Sequence, residues 1–262
     1  MNIYRAELHV HTVLSPCAEV EMIPPLIIEE ALSHHINLIA ITDHNSTANI
    51  AAVQKAAVNS GVTVLPGMEL QTREEVHALC LFDTIDQTNA FQRIVNNALP
   101  PIQNRPDYFG EQFIVDETGN FIRRENRLLL TSADLSLKEA WTIVSGLGGI
   151  FIPAHVNRKA FGLIATLGFL PTDIKIEAIE ISRHLHPEDV AHSFPQVSGV
   201  PIIQSGDVHR LEEFLGVNEF QMASPTISEI RLALNNTDSR SLRILSHPAG
   251  PNPLVNQNPI QN

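Results

Sequence analysis

The chain has 262 residues, of which 44% are hydrophobic and 18% charged, with a formal net charge of −12. This composition excludes a disordered chain and suits one α/β barrel with a sizeable aliphatic core. The acidic balance repels polyanions at long range, so long nucleic acid is disfavoured as a partner and a small phosphorylated substrate fits better.

The predicted elements alternate short apolar runs with helical patterns. Ile3–Val10 reads as a strand, Pro24–His35 as a helix with proline in its first turn, and 37–42 (NLIAIT) as a buried strand. Thr47–Ser60 is helical and stopped by Gly61; Val62–Leu70 and Val76–Phe82 are strands joined by a tight polar turn; Ile85–Leu99 is a helix. Residues 100–127 break the rhythm with Pro100-Pro101 and a turn at Asp116–Asn120, which reads as an inserted hairpin or lid. The alternation resumes with helices at Leu137–Leu147, Arg158–Leu167, Pro187–Phe194 and Ile227–Asn235, and strands at Gly149–Pro153, Ala178–Ser182, Pro201–Ser205 and Gly216–Phe220. Repeated strand–helix units predict parallel strands with helices outside, about seven units in one α/β domain over residues 1–246. Residues 247–262, rich in Pro, Asn and Gln, read as a loosely ordered tail.

The two cysteines, Cys17 and Cys80, form no CxxC pair, which argues against a disulfide framework and for a cytoplasmic location. No basic-then-apolar leader is visible, and no run approaches the roughly 18 apolar residues of a membrane span. Oligomeric state is not legible.

Chemistry concentrates at predicted strand ends, the functional face of a parallel barrel. His9 and His11 in Glu7-Leu-His-Val-His share one side of a strand and can reach one metal, or can be two partly exposed histidines. His44 in Thr42-Asp-His-Asn follows a buried strand; Asp43, Asn45 and Ser46 could equally cap a helix. Glu69 ends an apolar strand and could bridge two metals, and His77 on the next strand points inward, as a core histidine or as a ligand. His155 follows Pro153, and Asp207 with His209 follow Ser205. Such ligands suit manganese, iron or zinc, and two such ions can bind a phosphate and activate water.

The segments ELHVHT, AITDHN, PGMEL, EVHALCLF, PAHVNR and SGDVHR, in this order from His9 to His209, together resemble the PHP (polymerase and histidinol phosphatase) family. The resemblance implies a distorted (β/α)7 TIM-like barrel with two or three divalent metal ions. It implies that His9, His11 and Asp207 bind the first ion, that Glu69 bridges to a second held by His77 and His155, and that His44 and His209 bind a third. The third site departs from the family pattern: Ser15-Pro16-Cys17-Ala18-Glu19-Val20-Glu21 stands where Asp or His is usual, leaving Cys17, Glu19 or Glu21 as a substitute, or Cys17 as a plain buried residue.

The expected reaction is metal-dependent hydrolysis of a phosphate ester, a small phosphomonoester or a nucleotide, by a metal-activated water. Asp207, His209 and Arg158 are the expected catalytic residues. Arg158 would hold the phosphate through its planar guanidinium or be a surface arginine, and His209 or His44 would protonate the leaving oxygen. Arg210, His184, Arg123 and Arg124 are weaker phosphate candidates. An exonuclease on short oligonucleotides and a non-catalytic metal-binding regulatory module are the alternatives.

Overall fold

The computed structural model describes residues 1–245, so the expected tail lies outside the described residues. A curled seven-stranded sheet forms the body. Its strands are β1 (Asn2–Val10), β2 (Leu38–Ile41), β3 (Thr63–Gln71), β4 (His77–Leu81), β7 (Ile150–Pro153), β10 (Asn218–Met222) and β11 (Ser241–Ile244). Their order is β11-β10-β1-β2-β3-β4-β7. Two further pairs stand apart from that sheet: the hairpin β5 (Phe113–Val115) with β6 (Phe121–Arg124), and β8 (Ile179–Ser182) with β9 (Ile202–Ser205).

Only part of the sheet is parallel, which corrects the expectation of uniformly parallel strands. β1–β2–β3 and β8–β9 pair in parallel, whereas β4 runs against both β3 and β7, and β10 against both β1 and β11. The cause at β3–β4 is local: the few residues between Gln71 and His77 are too short for a crossover helix, so the chain must turn back as a hairpin. The β8–β9 pair meets both sides of the curl. Val156 N–H donates to Glu180 O (2.9 Å), and Val208 exchanges backbone bonds with His9 and His11 (3.0 and 2.9 Å).

The central strand β2 is apolar throughout because both faces of the sheet are covered. Leu38 and Ala40 of β2 pack with Leu8, Leu65, Leu79 and Ile152 inside the curl. Ile39 and Ile41 pack outward on Ile27 and Ile28 of α1 (Pro24–Ser33) and Ile50 and Val53 of α2 (Ile50–Ala56). A second outer layer packs Met68, Cys80 and Phe151 on Phe91 and Val95 of α3 (Ile85–Ala98) and Ala140 and Val144 of α5 (Leu137–Gly146). Thr84 with Gln87, and Ser136 with Glu139, close capping boxes on α3 and α5, which sets where those helices begin. α8 (Ile227–Leu234), capped by Thr226, covers β10.

Several helices are shorter than expected, among them α6 (Leu163–Leu167) and α7 (Val190–Ser193), and the insert holds a one-turn helix, α4 (Pro106–Phe109), where only a hairpin or lid is expected. Residues 158–162 turn instead of continuing α6: Phe161 has φ 59°, and a Cβ on Gly162 would come within 2.2 Å of Arg158 O. The insert is seated on the body. Phe113 N–H donates to Val13 O, Asn49 bridges Phe113 O and Val115 N, and a Cβ on Gly110 would meet Pro16 O at 2.1 Å. Among the described residues no helix is long and apolar enough to cross a membrane.

Candidate metal centre

One edge of the sheet gathers the histidines and carboxylates. β1 ends in His9 and His11, and its register with β2 slips between Glu7 and Val10. His44 follows β2 and forms a bridge with Glu69 of β3, and Asn45 N–H donates to Glu69 O at 2.9 Å. His77 opens β4 rather than ending it. Because β4 is antiparallel, its first residue lies at the same edge as the end of β3. His155 follows β7 and Asp207 follows β9, both with left-handed backbone (φ 30° and 52°). Neither is glycine, so the fold holds strained backbone where the donors converge.

All eight sequence-predicted ligands are brought together. His9 Nε2 lies 3.3 Å from Glu69 Oε1 and 3.2 Å from Asp207 Oδ1. His11 Nε2 lies 3.3 Å from Glu69 Oε2 and from Asp207 Oδ1. On the other side of Glu69, His77 Nδ1 stands 2.8 Å and His155 Nε2 3.1 Å from Oε1, while His44 Nδ1 stands 2.9 Å from Oε2. Three donor groups result: His9, His11, Glu69 and Asp207; His44, Glu69 and His77; and His11, His44 and His209. His44 thus touches the Glu69–His77 group as well as His209, a sharing that motif order does not reveal.

A layer of partners fixes which nitrogen each histidine offers. His9 Nδ1 sits 3.1 and 3.0 Å from the two oxygens of Glu180. The carboxylate only accepts, so Nδ1 carries the proton of the neutral ring and Nε2 is the nitrogen left to offer a lone pair toward Glu69 and Asp207. Ser15 Oγ donates to Asp43 Oδ1 at 2.7 Å and so accepts from His11 Nδ1 at 2.9 Å, with the same outcome for His11. Asp43 also accepts from Thr12 N and Oγ1 (2.7 and 2.8 Å), which makes it the tie between the β1 and β2 exits rather than a helix cap. His209 Nδ1 donates to Asp207 O at 3.0 Å.

Burial raises the Glu69 carboxyl, but the surrounding imidazoles of His77, His9, His44 and His11 more than offset it, and it ends well below the usual range. Asp207 is likewise held low, burial opposed by His9 and His11. Burial lowers His11 and His44, yet the Asp207 and Glu69 carboxylates beside His11 push it up to about 9, and the charge of Glu69 brings His44 to about 9. Burial dominates at His77, lowered to about 4, and at His209, lowered to about 2 with help from His11.

The donor set fits divalent ions on an observation independent of any motif. His9 Nε2, His11 Nε2, Glu69 Oε2 and Asp207 Oδ1 are all buried polar atoms without a hydrogen-bond partner, and so are His77 Nε2 and His155 Nδ1. Buried orphans are rare and destabilising. Among the first four, His9 Nε2 and His11 Nε2 lie 3.2 and 3.3 Å from Asp207 Oδ1, and His11 Nε2 lies 3.3 Å from Glu69 Oε2, close to the donor spacing of about 3.3 Å that a tetrahedral ion at ~2.0–2.1 Å requires.

Above the cluster opens a cavity of about 410 Å³ lined by Cys17, Phe109, Leu130, Arg158 and Phe161 together with all the donors except His9 and His11. Arg158 reaches it, with its Nη1 paired to Asp207 Oδ2. Cys17 is exposed and lines the cavity, while Glu19 instead pairs with Arg210 at 2.7 Å. Arg210, Arg123, Arg124 and His184 do not line it. Sequence reading missed Glu180 and Ser15. The one available signal was Glu180 itself, a fully buried carboxylate in the apolar run Ala178–Ile181.

The model of the PHP domain matches residues 7–137. The chain belongs to the PHP domain family, a class of metal-dependent hydrolases. No curated protein matches the sequence. Among solved structures, the lesion-specific endonuclease Q of Pyrococcus furiosus is similar at TM-score 0.68 and 20% identity, over 92% of this chain and 58% of that one. Endonuclease Q bound to a 27-mer duplex with an abasic lesion at its active site gives 0.66 and 19%, over the same shares. A Bifidobacterium adolescentis protein proposed to be a metal-dependent phosphoesterase gives 0.52 and 17%, over 78% of this chain and 87% of that one. The chain thus spans about 58% of the endonuclease Q chains it matches.

The duplex complex corrects the expectation that long nucleic acid is disfavoured. Endonuclease Q, whose fold matches 92% of this chain, holds a DNA duplex with the lesion at its active site. Net charge is a property of the whole surface, whereas the potential within a site is set locally, above all by bound divalent ions.

Proposed function

We propose that the chain hydrolyses a phosphate ester, a small phosphomonoester or a nucleotide, at the cavity above Glu69 and Asp207. The observation that carries this reading is the convergence of orphaned histidine and carboxylate atoms beneath an open cavity that also holds an arginine. His9, His11, Glu69 and Asp207 would hold one divalent ion. Glu69 and His77, with His155 at 3.1 Å from Glu69, would hold a second, and His44 and His209 are candidates for a third. Such ions, when bound, activate water and neutralise phosphate charge.

The chain's own residues do the rest. Glu180 and Ser15 orient the imidazoles of His9 and His11 before substrate arrives. Arg158, two-fifths exposed and paired with Asp207, can turn its remaining N–H groups to a phosphate oxygen. With no third ion bound, His44, raised to about 9 by the charge of Glu69, is a better proton source for the leaving oxygen than His209, lowered to about 2.

A phosphodiester within DNA is the second reading, favoured by the fold likeness to endonuclease Q. The test is a panel of phosphomonoesters, nucleotides and DNA strands, with manganese, iron or zinc added to chelator-stripped protein. Metal-dependent turnover of one class supports hydrolysis and names the class. Full metal binding with no turnover would favour the regulatory module instead.

A further inference from the structure

The cavity above the donors has two aromatic walls that the hydrolytic reading leaves unused. Phe161 lies flat on His77, ring centroids 4.4 Å apart and planes 5° from parallel, and His77 N–H donates to Phe161 O at 3.0 Å. One ring face is therefore taken by a candidate ligand. The residue is still 40% exposed and lines the cavity, so its free face is turned to whatever enters. Its φ of 59° is an outlier for a bulky side chain, a strained backbone that the surrounding turn must hold in place. Phe109, from the inserted segment, lines the same cavity. It is backed edge-on by Tyr108 at 4.7 Å and 80°, and fixed by the close seat of Gly110 on Pro16.

We infer that Phe161, with Phe109, is a stacking platform for a nucleobase, so that the phosphate taken by this site is one carried on a nucleoside. A planar ring on the free face of Phe161 would lie parallel to the His77 imidazole, with its attached phosphate toward Glu69, Asp207 and Arg158. A volume of about 410 Å³ is within the usual range of small-ligand pockets. An aromatic face serves any base, which fits a free nucleotide and a nucleotide within a strand alike. This inference rests on the phosphoesterase reading for the position of the phosphate.

The test uses the manganese-loaded full chain and hydrolysis-resistant phosphonate analogues of AMP, of ribose 5-phosphate and of a trinucleotide, with affinities from calorimetry. The AMP analogue should bind about 5- to 150-fold tighter than the ribose analogue, the range of aromatic stacking on a base. Phe161→Leu should bring the ratio close to one, Phe109→Leu should reduce it, and Phe161→Tyr, which keeps a ring, should preserve it, with metal content measured for each. A ratio near one in the parent chain, or one unchanged in both leucine variants, overturns the inference. The trinucleotide arm separates the sources: tighter binding than the AMP analogue assigns the platform to strands, weaker binding to free nucleotides. Turnover of p-nitrophenyl phosphate by the same preparation is read separately. Its absence would count against hydrolysis without touching the affinity ratio.

Discussion

The Glu180 carboxylate holds Nδ1 of His9 at 3.0 and 3.1 Å, deep in the fold, and also accepts the backbone N–H of His155 at 3.1 Å. One side chain on β8 thus orients donors delivered by β1 and β7. Glu180→Ala should lower the affinity for a divalent ion by about 10- to 100-fold, the usual effect of losing such a support. Competition with a chelator of known affinity checks this. An unchanged affinity would mean that His9 is oriented by packing alone.

Protons and metal ions compete for the same nitrogens. In chelator-stripped protein, His11 and His44 are raised from 6.5 to about 9 by their carboxylate partners. For a group raised on folding, the stabilisation is fully present below pH 6.5 and is lost as pH rises through about 9. Stripped protein should therefore lose stability between pH 6.5 and 9. Over the same window ion affinity should rise, because fewer protons have to be displaced. Thermal melts with and without added manganese test both: the loaded protein should melt progressively further above the stripped one as pH increases. A constant gap would show that these histidines are neutral throughout.

Glu7 stands in the first motif, yet its carboxylate bonds to backbone rather than joining the donor groups. Its oxygens accept from Gly206 N (2.9 Å), Leu215 N (2.9 Å) and Gly216 N (3.1 Å), tying β1 to the segments on either side of Asp207 and His209. Burial raises its pKa to about 7 against those three bonds. Glu7→Gln replaces one accepting oxygen with a donor and leaves at least one buried N–H unpaired, at about 1–3 kcal/mol. Denaturant unfolding above pH 7 reads that loss, and equal stability of the two proteins would sink the assignment.

The candidate ligand positions are legible because each lies in a short polar motif beside an apolar strand, and strand period and chain order are enough to single out His9, His11, His44, Glu69, His77, His155, Asp207 and His209. What the sequence concealed is non-local. Strand direction at β4 depends on turn length and at β10 on pairing with β1, which local hydrophobic pattern does not encode. Glu180 reads as one polar residue in a strand until His9, 171 positions away, is placed beside it. Likewise Asp43 resembles a cap until Thr12 and Ser15 arrive from the preceding strand exit. The acidic total charge pointed away from nucleic acid for the same reason: a sum over the chain carries no information about one cavity.

The most direct measurement is metal content together with phosphoester turnover in Asp207→Asn. Asp207 Oδ1 faces both His9 and His11, and Oδ2 pairs with Arg158. The amide retains the shape but removes the charge that the ion and Arg158 share. The expected result is loss of the ion bound by His9 and His11 and a fall in turnover of at least about 100-fold, ~2.7 kcal/mol in the barrier. Full metal content with undiminished turnover would contradict a hydrolytic centre built on Asp207.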